Sequence, residues 1–219
     1  FASQYFPQVE DESGFALAEP IPAGPTSQRL CALAKELGVA ISASLFEERA
    51  AGVYHNTSIM IDETGAITDR YRKMHIPDDP RFFEKYYFTP GDLGFRTQSV
   101  AGATTGMLVC WDQWFPEAAR ITAMKGAQLL LYPTAIGWYT TDDGGGETAE
   151  DRVAQREAWR TIQRSHAISN GVFVAAANRI GREGDIQFWG SSFVADPSGT
   201  IIAEASLSLR VSISRKTWR

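Results

Sequence analysis

From Pro25 to Leu37 the apolar residues fall at Leu30, Leu33, Ala34 and Leu37, the spacing of one helical face. The pattern predicts a helix opening at Pro25-Thr26-Ser27, with Thr26 as its N-cap, and ending at Gly38. The period then shortens. Val39–Phe46 and Val53–Ile61 read as strands around a turn at Ala51-Gly52, and Asp62-Glu63-Thr64-Gly65 turns into a third strand over Ala66–Lys73. The stretch from His75 to Gly94, rich in proline and aromatics, predicts a long loop, and loops of that length inside a domain tend to be functional.

Beyond it, Thr105–Cys110 predicts a buried strand running straight into a helix, with Pro116 in its first turn, Glu117 at its positive end and Gly126 after it. A strand over Gln128–Tyr132 follows, then a loop over Pro133–Gly146 and an amphipathic helix over Glu150–Asn170 closed by Gly171. Val172–Ala177 predicts another strand. Ser192–Asp196 and Thr200–Ala205 flank the turn Pro197-Ser198-Gly199 as a hairpin. Strand–helix–strand units mixed with hairpins imply mixed sheets covered by helices, an α/β architecture in one domain over residues 1–219.

Composition narrows the function classes. The 219 residues carry a net charge of −5 and no basic stripe, which argues against nucleic acid or an anionic membrane as a partner. No apolar run reaches the roughly 18 residues of a membrane span, and no signal peptide stands at the start. Two cysteines, Cys31 and Cys110, make no disulfide framework, and nothing resembles a zinc-ligand spacing; the expected setting is a reducing cytoplasm.

Cys110 is the first candidate for chemistry. It ends the apolar run Met107-Leu108-Val109 and precedes a helix, a turn that exposes a nucleophile and brings backbone N–H groups to a thiolate or an oxyanion. The alternative on local pattern is a small buried hydrophobe, which describes most free cysteines, and Cys31 on its helix is such a residue. Lys73, at a strand end after Tyr71-Arg72, can hold an oxyanion or favour a thiolate; equally it can be a solvated strand-end charge. Glu84 lies among five aromatics in Phe82-Phe83-Glu84-Lys85-Tyr86-Tyr87-Phe88, either desolvated and paired or exposed above packed rings. His55, His75 and His166 stand in no Cys–His spacing, and Gly144-Gly145-Gly146 lacks the strand and helix that a phosphate loop requires.

Taken together, the stretches from Tyr71 to Asp78, Glu84-Lys85, Phe88 to Asp92, and Cys110-Trp111-Asp112-Gln113-Trp114-Phe115-Pro116-Glu117-Ala118-Ala119-Arg120 resemble the N-carbamoylputrescine amidases of the nitrilase superfamily. Pro133-Thr134-Ala135-Ile136-Gly137 and Ala177-Asn178-Arg179-Ile180-Gly181 extend the likeness, which runs to about Ala205. The resemblance implies an α-β-β-α sandwich assembled into homo-oligomers, no metal, no organic cofactor and a small amide or ureido substrate. It also implies Cys110 as nucleophile, Lys73 as the oxyanion-stabilising cation, Glu84 as its supporting carboxylate and the N–H of Trp111 as a second oxyanion donor. Tyr5, Trp138, Tyr139 and Asn178 are the candidates for the substrate pocket. The implied reaction converts N-carbamoylputrescine to putrescine, CO2 and ammonia, a step of polyamine biosynthesis. The alternatives are another amidase of this type, for an N-carbamoyl amino acid or an ω-amide, or a catalytically incomplete homologue acting only in assembly.

The likeness breaks in two places. The family draws its general-base Glu from a segment upstream of the counterpart of Tyr5-Phe6, and the chain starts at Phe1; Glu10 and Glu12 lie on the wrong side of that landmark. With Arg210–Ser214 reading as a late strand and Lys216–Arg219 as the start of a helix, the expectation is a fragment truncated at both ends, hydrolysing little without a Glu ahead of Phe1. After Pro-Thr-Ala-Ile-Gly the family also carries an acidic residue suited to an ammonium group. Trp138-Tyr139 stands there instead, and aromatic faces receive a cation more weakly.

Overall fold

The computed structural model describes residues 3–141 and 146–205. After a short 3-10 turn over Glu12–Leu17 come α1 (Pro25–Leu37), β1 (Ile41–Ala50), β2 (Val53–Ile61), β3 (Ile67–Arg72), α2 (Glu84–Tyr87), β4 (Thr97–Val100) and β5 (Ala103–Met107). A 3-10 turn over Cys110–Trp114 leads to α3 (Pro116–Met124), β6 (Leu129–Thr134), β7 (Gly137–Tyr139), α4 (Ala149–Asn170), β8 (Phe173–Asn178), β9 (Ile180–Glu183), β10 (Ile186–Trp189), β11 (Phe193–Ala195) and β12 (Ile201–Glu204).

Two sheets form the centre. β1-β2-β3 is antiparallel throughout; the larger sheet runs β12-β11-β8-β6-β5-β4, with β5, β6 and β8 parallel and the flanking strands antiparallel. Period-two alternation along β2 explains how the small sheet serves two layers. Ile59 and Ile61 pack with Ala34, Leu30 and Cys31 of α1, whereas Met60 turns the other way to join Met107, Leu108 and Leu130 of the large sheet. On the far face of the large sheet, Ala118 and Ala119 of α3 and Trp159 and Ala167 of α4 complete the same core. The layers are therefore α1, sheet, sheet, then α3 with α4: the expected α-β-β-α order. Trp159 is fully enclosed, and burying an aromatic of that size stabilises by about 1.5–3 kcal/mol.

Local chemistry shifted several predicted boundaries. The N-cap of α1 is Gly24 with Pro25 at the first helical position; Thr26 lies inside, its N–H held by Glu19 at 2.8 Å. α4 starts one residue early because Thr148 and Asp151 cap each other. The hairpin partner β4 and the small sheet β7-β10-β9 went unpredicted, since Gly137–Tyr139 lay within an assigned loop and Ile180–Trp189 is interrupted by charge and glycine. The long loop contains α2, a single turn. The strand and helix read over Arg210–Ser214 and Lys216–Arg219 lie outside the described residues.

One glycine joins this frame to the loop that follows β3. Gly91 donates its N–H to the carbonyl of Lys73 at 2.9 Å, and a Cβ there would stand 1.9 Å from the carbonyl oxygen of Arg72. Gly91→Ala must therefore move backbone, and we expect it to lower unfolding stability by about 1–3 kcal/mol in urea titration, within the range of ordinary destabilising changes. An unchanged midpoint would show that the strand end gives way freely.

Candidate active site

Past β3 the next residue is Lys73, and three residues past β5 comes Cys110. At the end of β3 alternation splits two cations. Arg72 turns toward Glu47, gripping both carboxylate oxygens at 2.8 Å, and reaches Asp92 at 2.8 Å. Lys73 turns inward and is wholly buried, its backbone pinned by Asn56 and Gly91. Its Nζ meets Oε2 of Glu84 at 2.5 Å, and Tyr5 donates its hydroxyl to the other oxygen of Glu84 at 2.9 Å. Glu84 opens α2 and is equally enclosed. Burial alone would strip the proton from Lys73, but the adjacent Glu84 and Cys110 outweigh it and hold the ammonium form above its ordinary range. Burial, and then the same carboxylate, push the phenol of Tyr5 up, so it remains a donor.

Cys110 sits three residues past β5 with φ +47°, a left-handed conformation that costs a non-glycine residue about 1–3 kcal/mol. Asp112 holds that turn. Its fully buried carboxylate accepts from the N–H of Val109 at 2.8 Å, the hydroxyl of Tyr71 at 2.8 Å and the N–H of His75 at 3.1 Å, and meets Nδ1 of His75 at 2.7 Å. The ring of His75 stacks on Phe115. One carboxylate thus ties the Cys110 turn to the end of β3 and to the loop after it. Sequence reasoning gave Asp112 and Tyr71 no role and set His75 aside; the available signal was a carboxylate two residues after the cysteine in an otherwise apolar and aromatic run. Gln113 locks the same turn to α4, its side-chain oxygen receiving Trp159 at 2.8 Å and Gln163 at 3.0 Å.

The turn does not expose the thiol as expected. Cys110 is buried, 8% exposed, its Sγ 3.8 Å from the carbonyl oxygen of Ala135. Nor does the environment favour the thiolate: burial raises the thiol's affinity for its proton, Lys73 opposes it, Glu84 reinforces it, and the net direction is up. Access runs through two cavities that share Cys110. One, of about 440 Å³, is lined by Tyr5, Glu84, Asn178 and Arg179 with part of β1. The other, of about 490 Å³, is lined by Trp111, Trp114, Tyr139, Glu147 and Trp189 with the loop around Arg81.

The four candidate pocket residues separate. Tyr5 is the Glu84 donor already described. Asn178 clamps backbone, accepting from Ile136 N–H and donating to the carbonyls of Ile136 and Gly190, each at 3.0 Å. Trp138 lies against Trp189 and under the guanidinium of Arg152, whereas Tyr139 lines the second cavity with Arg81 over its ring. Among the described residues no three His, Cys, Asp or Glu side chains gather so as to hold a metal ion, and no helix is long and apolar enough to cross a membrane.

This fold and this arrangement have known counterparts. The carbon-nitrogen hydrolase family model matches residues 4–214, and the chain belongs to that family, within the nitrilase superfamily. An N-carbamoylputrescine amidase of Solanum lycopersicum is 45% identical over 213 residues, covering 94% of this chain and 68% of its own. Among solved structures, a carbon-nitrogen hydrolase from Helicobacter pylori G27 superposes with a TM-score of 0.86 at 46% identity, covering 93% of this chain and 70% of that one. A mutant amidase of Nesterenkonia sp. AN1 reaches 0.69 at 30% identity, over 82% of this chain and 62% of its own; it carries the acetamide moiety of fluoroacetamide added covalently at the active site cysteine.

Two measurements check the electrostatics. With the thiol held up by burial, alkylation of Cys110 by iodoacetamide should rise about tenfold per pH unit from pH 7 to pH 9. A plateau beginning below pH 7 would mean that Lys73 wins over desolvation. Glu84→Gln leaves the Lys73 ammonium buried beside a neutral amide, and we expect about 3–5 kcal/mol lost in unfolding stability, the usual cost of removing one member of a buried pair. Stability equal to the parent would show that the pair is not desolvated.

Proposed function

We propose that Cys110 is the nucleophile of a cofactor-free amidohydrolase acting on the ureido carbon of an N-carbamoyl amine, with N-carbamoylputrescine the first substrate to test. The observation that carries it is the convergence of a strained, buried cysteine with a fully buried Lys–Glu pair. The 45% identity to an enzyme named for that substrate supports the choice.

In this reading the sulfur attacks the ureido carbon and the carbonyl oxygen becomes an oxyanion, met by the ammonium of Lys73 and the N–H of Trp111. Glu84 positions Lys73 and keeps it charged. A nitrogen leaves as ammonia, taking up a proton. Water then cleaves the carbamoyl thioester, and the released carbamate decays to CO2 and the free amine. Because the thiol is held protonated, a general base must take its proton, pass one to the leaving nitrogen and deprotonate the water. Both oxygens of Glu84 and both of Asp112 are occupied by donors, so the reading calls for a further carboxylate at the thiol. A cytoplasmic homo-oligomer remains the setting we infer for it.

The test is ammonia and putrescine release from N-carbamoylputrescine by the chain extended to carry a Glu ahead of Phe1, beside an N-carbamoyl amino acid and a simple ω-amide as competitors; the 219 residues alone should release little. We expect equimolar products, kcat/KM highest for N-carbamoylputrescine, a loss of at least about 10³-fold in Cys110→Ala and about 10²–10³-fold in Lys73→Met. Undiminished turnover by Cys110→Ala would sink the assignment.

A further inference from the structure

We propose that Glu147 is the residue that receives the distal ammonium group of the substrate, in place of the acidic residue whose position Trp138-Tyr139 occupies. The proposal rests on the ureido-amine reading above and adds to it the element that selects the amine end.

The aromatic pair is already engaged. The guanidinium of Arg152 lies 5.8 Å above the Trp138 ring, whose N–H donates to the carbonyl of Arg152 at 3.1 Å, and the ring of Trp189 packs against it at 5.2 Å. The Tyr139 ring carries the guanidinium of Arg81 at 5.9 Å. A substrate cation brought to either ring would meet a like charge, so the attraction of the ring faces is offset.

Glu147 offers the opposite. It lines the same cavity as Cys110, and its Oε2 is closed off from solvent with no hydrogen-bond partner. A carboxylate oxygen deprived of water and of any donor costs free energy until a donor arrives, and a charged donor restores most. The other ionisable groups lining the cavity do not compete for that role. Asp79 is exposed to water, and Arg81 is tied to Asp185 at 2.7 Å. Arg152 and Arg156 each leave a buried Nε without partner but do not line the cavity, and neither forms an ion pair with Glu147 among the described residues. The cavity, half open and of about 490 Å³, is therefore lined by both a nucleophile and a carboxylate that forms no ion pair among the described residues. That combination fits a short chain bearing a ureido group at one end and a primary ammonium at the other. A substrate ending in a carboxylate would place two anions together.

The experiment compares N-carbamoylputrescine with N-butylurea, which has the same ureido group and a similar chain but no ammonium, in wild type and Glu147→Gln, each extended to carry the Glu ahead of Phe1 that the reading calls for. We expect wild type to prefer the cationic substrate in kcat/KM, and the variant to raise KM for it by about 10- to 100-fold, the worth of one charged hydrogen bond. Turnover of N-butylurea should stay within twofold of wild type, which also shows that the variant is folded. An unchanged KM for N-carbamoylputrescine in Glu147→Gln, with wild type active, overturns the role of Glu147 and leaves the ureido-hydrolase reading standing. Equal losses on both substrates would show that Glu147 supports the fold or the reacting centre instead, and also overturn the proposal. Turnover of neither compound by wild type overturns both.

Discussion

The ion pair between Lys73 and Glu84 is the constraint on which the rest of the site depends. An ammonium wholly removed from water is tolerated only beside a carboxylate that is itself fully committed, and here Tyr5 satisfies the oxygen that Lys73 leaves. The start of the described chain is thereby locked to the end of β3 and to the single turn α2 that follows it. Replacing such a pair by apolar groups would cost little stability in general. Its retention in the interior is intelligible if a fixed positive charge is needed beside the thiol.

A second buried carboxylate does for the nucleophile what Glu84 does for the lysine. Asp112 gathers two backbone N–H groups, a phenol and an imidazole, and so offsets the backbone strain at Cys110 with hydrogen bonds that the turn alone could not make. The two carboxylates are linked through β3, which supplies Tyr71 to one and leads into Lys73 for the other. Distortion at either would be felt by both, because Tyr71 and Lys73 are two residues apart on the same run of chain.

The same enclosure that strengthens Lys73 works against the thiol. Desolvation acts on both groups in the direction that removes charge, and the outcome differs because Lys73 has a full countercharge at contact while Cys110 has a cation offset by the carboxylate behind it. The result is a site in which the resting thiol keeps its proton. Activation is then coupled to a base and to the arrival of a substrate, which protects a buried thiol from adventitious oxidation.

What the sequence determined was the set of elements with strong local signals and the identity of the reactive side chains. α1, α4 and the β1-β2 hairpin were legible because their apolar periods and glycine or capping boundaries are local properties. Cys110, Lys73 and Glu84 were legible because each stands in a distinctive run, although the residues alone also allowed bland readings for all three. The tertiary structure decided the remainder. β7, β9 and β10 have weak intrinsic patterns and exist because they pair with one another, and Asp112 shows its role only when Tyr71 and His75 are brought to it. The direction of the Cys110 shift depended on how deeply the turn is covered, which no spacing encodes. Glu147 likewise lay unnoticed just after a loop rich in glycine and aspartate. Its meaning arises from a cavity wall assembled by the 3-10 turn after Cys110, β7 and α4, and the burial of one oxygen in such a wall is a property of contacts between segments rather than of the chain.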